Sequence, residues 1–88
     1  MRYTVTWKPS AMARLAEIWL AAPDRNSVTA AVNELEAILG RTPLQVGESR
    51  GPETRIVIVR PLAAVYEVRE RDRLVQILSI IRVPSRER

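Results

Sequence analysis

The chemistry this sequence can offer rests on its arginines, with Tyr66 beside them in the sheet-forming half. Arginine stabilises anionic phosphate or carboxylate through paired N–H donors, and a tyrosine, or a glutamate such as Glu67, can donate or accept a proton. Together they make a metal-free phosphodiester cleavage conceivable but poorly equipped. The composition removes the alternatives. With no histidine and no cysteine, there is no imidazole acid–base pair, no histidine triad, no thiolate nucleophile and no cysteine-ligated zinc. The acids are scattered among arginines, so neither a metal site nor a cofactor is expected. Gly40, Gly47 and Gly51 suit turns rather than a phosphate loop. Lys8, the only lysine, falls at a strand–helix junction, a surface position. Each reactive residue also has a structural reading. Tyr66 fits a half-buried sheet position, and Arg82 fits a strand-end arginine lying over apolar surface with its head in water.

Charge is uneven along the chain. From Met1 to Glu48 five basic residues meet five acids, and the net charge of +4 lies in Ser49–Arg88, where nine arginines face five acids. A basic half attracts nucleic acid or an acidic protein, although an arginine-rich soluble surface gives the same count. No charged-then-apolar leader opens the sequence and no apolar run approaches a membrane span, so the expectation is a cytoplasmic domain with no membrane partner. Its 88 residues, 47% of them apolar, are sized for a single domain spanning 1–88.

The elements follow from periodicity. Tyr3, Val5 and Trp7 alternate with polar residues as in a half-buried strand. Pro9 suits a first helical position and Ser10 offers a capping hydroxyl, so a helix is expected over Ser10–Ala22, with Met12, Leu15, Ile18 and Trp19 on its apolar stripe. Asp24 and Ser27 are candidate caps for a second helix over Asp24–Leu39. Val28, Val32, Leu35 and Leu39 step along its face, and Gly40 is its expected stop. The short connection predicts an antiparallel helical hairpin. The period then becomes two. Strands are expected over Arg55–Val59, Leu62–Val68 and Leu74–Val83, with a short one near Gln45–Glu48. Pro61 marks a bend and Arg69–Arg73 a charged hairpin tip. The result is an α+β domain, β-α-α-β-β-β, with the hairpin on one face of a small, mostly antiparallel sheet.

These strands are apolar on both sides. In the last one, Leu78 and Ile80 precede Arg82 at even positions, while Val75, Ile77, Ile81 and Val83 hold the odd ones. A sheet with helices on one face should alternate cleanly. A second apolar face implies a cover: a curled sheet edge, a dimer mate (a homo-oligomer) or another protein. Alternation places Arg82 beside Leu78 and Ile80. Arg86 and Arg88, beyond Pro84, read as a solvated tail.

The spacing Tyr3-x-Val5-x-Trp7-x-Pro9, Leu15-x-x-Ile18-Trp19, Val32-x-x-Leu35-x-x-x-Leu39, and then Arg55, Val65-Tyr66-x-Val68 and Val75-x-Ile77-Leu78-x-Ile80 resembles the RelE/ParE toxins of type II toxin–antitoxin systems over almost the whole chain. The resemblance implies a small toxin neutralised by a cognate antitoxin that wraps it. RelE-like members cut messenger RNA in the ribosomal A site without metal, and ParE-like members poison DNA gyrase. In RelE-like ribonucleases, basic residues stand on two sheet strands and an arginine, often with a tyrosine or histidine, stands near the C-terminus. Arg55 and Arg82 match two of these positions. Ala63-Ala64 occupy the place of the third, and no tyrosine or histidine follows Arg82. The resemblance therefore leans towards a ParE-like binder, with Arg55, Arg60, Leu78, Ile80 and Arg82 as its partner-binding residues. A ribosome-dependent nuclease using Arg82, Arg55 and Tyr66, and a non-toxic relative that binds only its antitoxin, are the alternatives.

Overall fold

In the computed structural model, which describes residues 2–84, the chain forms β1 (Thr4–Trp7), α1 (Pro9–Ala21), α2 (Arg25–Arg41), β2 (Glu48–Ser49), β3 (Thr54–Val59), β4 (Leu62–Arg69) and β5 (Leu74–Arg82). The strands make one sheet in the order β1-β5-β4-β3-β2. Its pairings are antiparallel except β1 with β5, which is parallel, so the first strand lies beside the last. The expected α+β architecture and helical hairpin are present. The short strand is displaced to Glu48–Ser49 by turns over residues 43–47.

Helix ends depart from expectation. Lys8 is the N-cap of α1 and Asp24 that of α2, and neither makes a side-chain capping bond. Ser10 and Ser27 both lie inside their helices. Pro9 opens α1, where a missing N–H costs nothing. Gly40 does not stop α2, which continues to Arg41. The Gly40 carbonyl, one of the last four without an intrahelical partner, instead accepts the Tyr3 amide at 2.8 Å.

The inner stripe of α1 also differs. Ala11, Ile18 and the C-cap Ala22 are buried while Met12 and Trp19 are exposed. The small residues let α1 lie close on β5, and the large ones turn outward along α2. On α2, Val28, Ala31, Leu35 and Leu39 are buried. They meet Leu62, Ala64, Tyr66, Val75, Ile77 and Ile80 from the sheet in one aliphatic core. No charged residue is buried among the described residues.

The main irregularity lies in β5. Tyr66 pairs with Ile77 but Val65 pairs with Ser79, leaving Leu78 without a cross-strand partner. This bulge shifts the phase of the strand by one residue. Val75 and Ile77 face the helices before it; Ile80 and Arg82 face them after it. Leu78 therefore does not share the Ile80 face, and Ile80, 1% exposed, belongs to the core.

Candidate functional site

Arg55 and Tyr66 are cross-strand partners on the helix face of the sheet. Tyr66 is fully rather than half buried. Its hydroxyl lies 2.7 Å from the Pro43 carbonyl and 3.0 Å from that of Val46. The single phenolic proton serves the shorter contact. Arg55 completes the other through Nε and Nη2, 3.3 and 3.2 Å from the Val46 oxygen, and Nη2 also reaches Gly47 O at 3.3 Å. Burial pushes the Tyr66 hydroxyl above its ordinary range, opposed by the neighbouring guanidinium. Gly47 is required here: its φ is 72°, and a Cβ would collide with the Ile56 carbonyl oxygen. The pair fastens the turns after α2 onto β3 and β4. The hydroxyl is enclosed, with its proton committed to the Pro43 carbonyl.

Arg82 lies at the other end of the face. Arg55 and Tyr66 share one cross-strand row, Leu62 and Arg82 another, four residues along β3, or about 13 Å. Sequence reasoning grouped Arg55 with Arg82; the sheet holds them apart. Arg82 Nη2 is 2.9 Å from both oxygens of Asp24. The hydrogen bond is directed at Oδ2, and Oδ1, which has no aligned donor, is held by charge alone. The Arg82 hydrogen bond holds the Asp24 carboxyl below its usual range, against a smaller opposing effect of desolvation. Arg60, in the turn between β3 and β4, donates from Nη1 to the Pro84 carbonyl at 3.1 Å. These groups and Ser27 line a cavity of about 280 Å³. Asp24 is the partner that sequence reasoning missed, since it read this residue as a helix cap.

Two apolar surfaces remain open. On the helix-free face, Ile58, Ala63 and Ile81 form one cross-strand row and Ile56, Val65 and Ser79 the next. Ile58 is 54% exposed and Ile81 52%. The expected second apolar face therefore exists, made by these residues rather than by Ile80, while Leu78, half-buried at the bulge, stays off the helix face. Ser79, the lone polar residue in the Leu78–Ile81 run, was the available sign that the phase changes there. The second surface is a groove of about 320 Å³ between the helices, lined by Met12, Leu15, Trp19, Val28 and Val32 among others. Trp19 is fixed in it by an indole bond to Thr29 Oγ1 at 3.1 Å and by the Arg25 guanidinium 4.6 Å from its ring centroid.

Among the described residues no group of histidine, cysteine or carboxylate side chains could hold a metal ion, and no helix is long and apolar enough to cross a membrane.

Neither a protein-family model nor a curated protein sequence matches the chain. Solved structures do. The toxin–antitoxin complex RelBE2 of Mycobacterium tuberculosis contains a chain that superposes with a TM-score of 0.77 at 24% identity, over 93% of this chain and 92% of that one. The chromosomal ParDE system of P. aeruginosa gives 0.70 at 24% identity, covering 93% and 97%. The isolated E. coli RelE toxin gives 0.68 at 17%, covering 97% and 88%. The chain has the fold of the RelE and ParE toxins.

Proposed function

We propose that this protein is the toxin of a type II toxin–antitoxin system, ParE-like in acting by binding an intracellular target, with DNA gyrase the first candidate, and neutralised by a cognate antitoxin. The observation that carries this reading is the pair of uncovered apolar surfaces, on opposite sides of a fold shared with proteins solved in toxin–antitoxin complexes. A chain this small gains little by exposing Ile58, Ile81, Met12 and Trp19 unless a partner covers them.

Binding is preferred to cleavage because the residues available for RNA chemistry are engaged elsewhere. Tyr66 and Arg55 hold the turns after α2, Arg82 holds Asp24, and Ala63 and Ala64 are buried where a further cation would be needed. Oxyanion stabilisation requires preorganised donors converging on one point. Here the rows of Arg55 and Arg82 are about 13 Å apart along the sheet.

The antitoxin reading places its apolar contacts on Ile56, Ile58, Val65 and Ile81, with Arg60 and Arg82 at the rim. The apolar strip supplies most of the affinity and the charges mainly speed association. Induced expression tests the function: growth stops, and co-expression of a small adjacent reading frame restores it. DNA-damage signalling during arrest supports gyrase; trimmed ribosome-bound messages replace the binder with a RelE-like nuclease. Absence of arrest leaves a non-toxic antitoxin binder. The complex should survive purification in high salt, and dissociation in moderate salt would contradict an apolar interface.

A further inference from the structure

We propose that the cavity between the β3–β4 turn and the start of α2 is a carboxylate-recognition pocket for an acidic side chain of the partner, in which Asp24 is a built-in competitor. The inference rests on the toxin reading and names the chemistry of one of its contacts. Two arginines, Arg60 and Arg82, and a single carboxylate, Asp24, line this cavity. Asp24 supplies the positive evidence for ligand type: the molecule already seats a carboxylate on Arg82, with Nη2 2.9 Å from each oxygen.

Asp24 reaches that place by giving up another. It is the residue preceding α2, where an aspartate normally accepts the amides of the first helical turn, and it makes no such bond. Ser27 and Val28 amides bond the Asp24 main-chain carbonyl, and its side chain is directed at β5. Arg60 is exposed and spends one nitrogen on Pro84. Its remaining donors are available to a second acid, which would sit between both guanidiniums, near the uncapped start of α2. The net charge of the three ionised side chains is positive, so an incoming carboxylate is attracted even while Asp24 is in place. A carboxylate bridging Arg60 and Arg82 competes with Asp24 for Arg82, and removal of the internal acid should favour it. The pocket lies on the helix side of the sheet end, one row beyond Ile81, so a peptide that passes over that end can place its apolar side chains on the open face and its acid in the pocket.

The test uses the full-length protein and hexaglutamate as the probe, followed by amide and arginine Nε–H NMR shifts at constant ionic strength. Expected are shifts at Arg25–Val28 and at the Arg60 and Arg82 side chains. Asp24→Asn should tighten binding about two- to five-fold, the scale of an exposed ion pair, and Arg60→Gln and Arg82→Gln should weaken it by a similar factor. Asp24→Ser, which removes the charge but can cap α2, repeats the measurement if Asp24→Asn folds poorly. Unchanged or weaker binding in both Asp24 variants overturns the proposal. So do shifts confined to the arginines at 69–73, or tighter binding of a charge-matched oligothymidylate at this pocket, which would mark a phosphate site. The two readings fail separately. A silent pocket in a protein that still arrests growth removes this inference alone, and a working pocket without growth arrest removes the toxin reading alone.

Discussion

Ile77 and Ile80 face the same side of the sheet although they are three positions apart, because Leu78 between them has no partner on β4. In a regular strand such residues point opposite ways. The bulge places Ile77 against Tyr66 and Ile80 against Ala64, both in the core, and turns Ile81 outward. Ile77→Ala and Ile80→Ala should each destabilise the protein by about 2–4 kcal/mol. Ile81→Ala should cost less than about 1 kcal/mol, yet weaken antitoxin binding more than either core change does in the folded fraction. Denaturant melts paired with co-purification assays read both effects.

Tyr66→Phe isolates the enclosed hydroxyl. The change leaves the Pro43 carbonyl without its donor while Arg55 still serves Val46. A loss of about 1–3 kcal/mol is expected, with growth arrest retained in proportion to folded protein. Complete loss of arrest in a stably folded variant would restore Tyr66 as a reactive group.

The same hydroxyl contributes to the alkaline dependence of stability. Its folded pKa is raised by burial, so the folded state holds the proton more tightly than the unfolded one. Its contribution is fully present below the unfolded value of about 10 and is lost as pH rises towards the folded value. Tyr66→Phe should therefore flatten the decline of the melting temperature above pH 10, measured against wild type.

Asp24 acts in the opposite direction. Its folded pKa is depressed, chiefly by the Arg82 hydrogen bond. The linked stability is present above the unfolded carboxylate value, near pH 4, and disappears as pH falls through the folded one. Both Asp24→Asn and Arg82→Gln should remove the same portion of the acid dependence. The pair is partly exposed, so added salt should shrink the effect. Acid titrations of wild type and the two variants that superpose would contradict it.

Arg82→Ala should weaken growth arrest gradually rather than abolish it. A binder loses one contact of about 1–2 kcal/mol, whereas a nuclease would lose about 10²–10³ in rate with one preorganised donor. Arg86→Ala is the comparison; Arg86 and Arg88 lie outside the described residues, and their reading as tail predicts no effect. Induction titrations of both variants, with thermal melts, check this.

Element type and order were legible in the residues because they depend on local spacing. The 3.6-residue stripe of Val28, Leu35 and Leu39 needs a helix, and alternation of Tyr3, Val5 and Trp7 needs a strand. The second apolar face was legible as well, since more apolar positions were present than one face can use. Which residues form it was not. A bulge moves every later side chain in β5 to the opposite face, and it is set by pairing with β4 across the sheet. The partners of Arg55, Tyr66 and Arg82 were equally out of reach. Asp24 and Arg82 are 58 positions apart, and Tyr66 and Pro43 are 23. Local rules assigned Asp24 to capping its own helix; only the packing of α2 against the sheet brought a guanidinium close enough to compete for it.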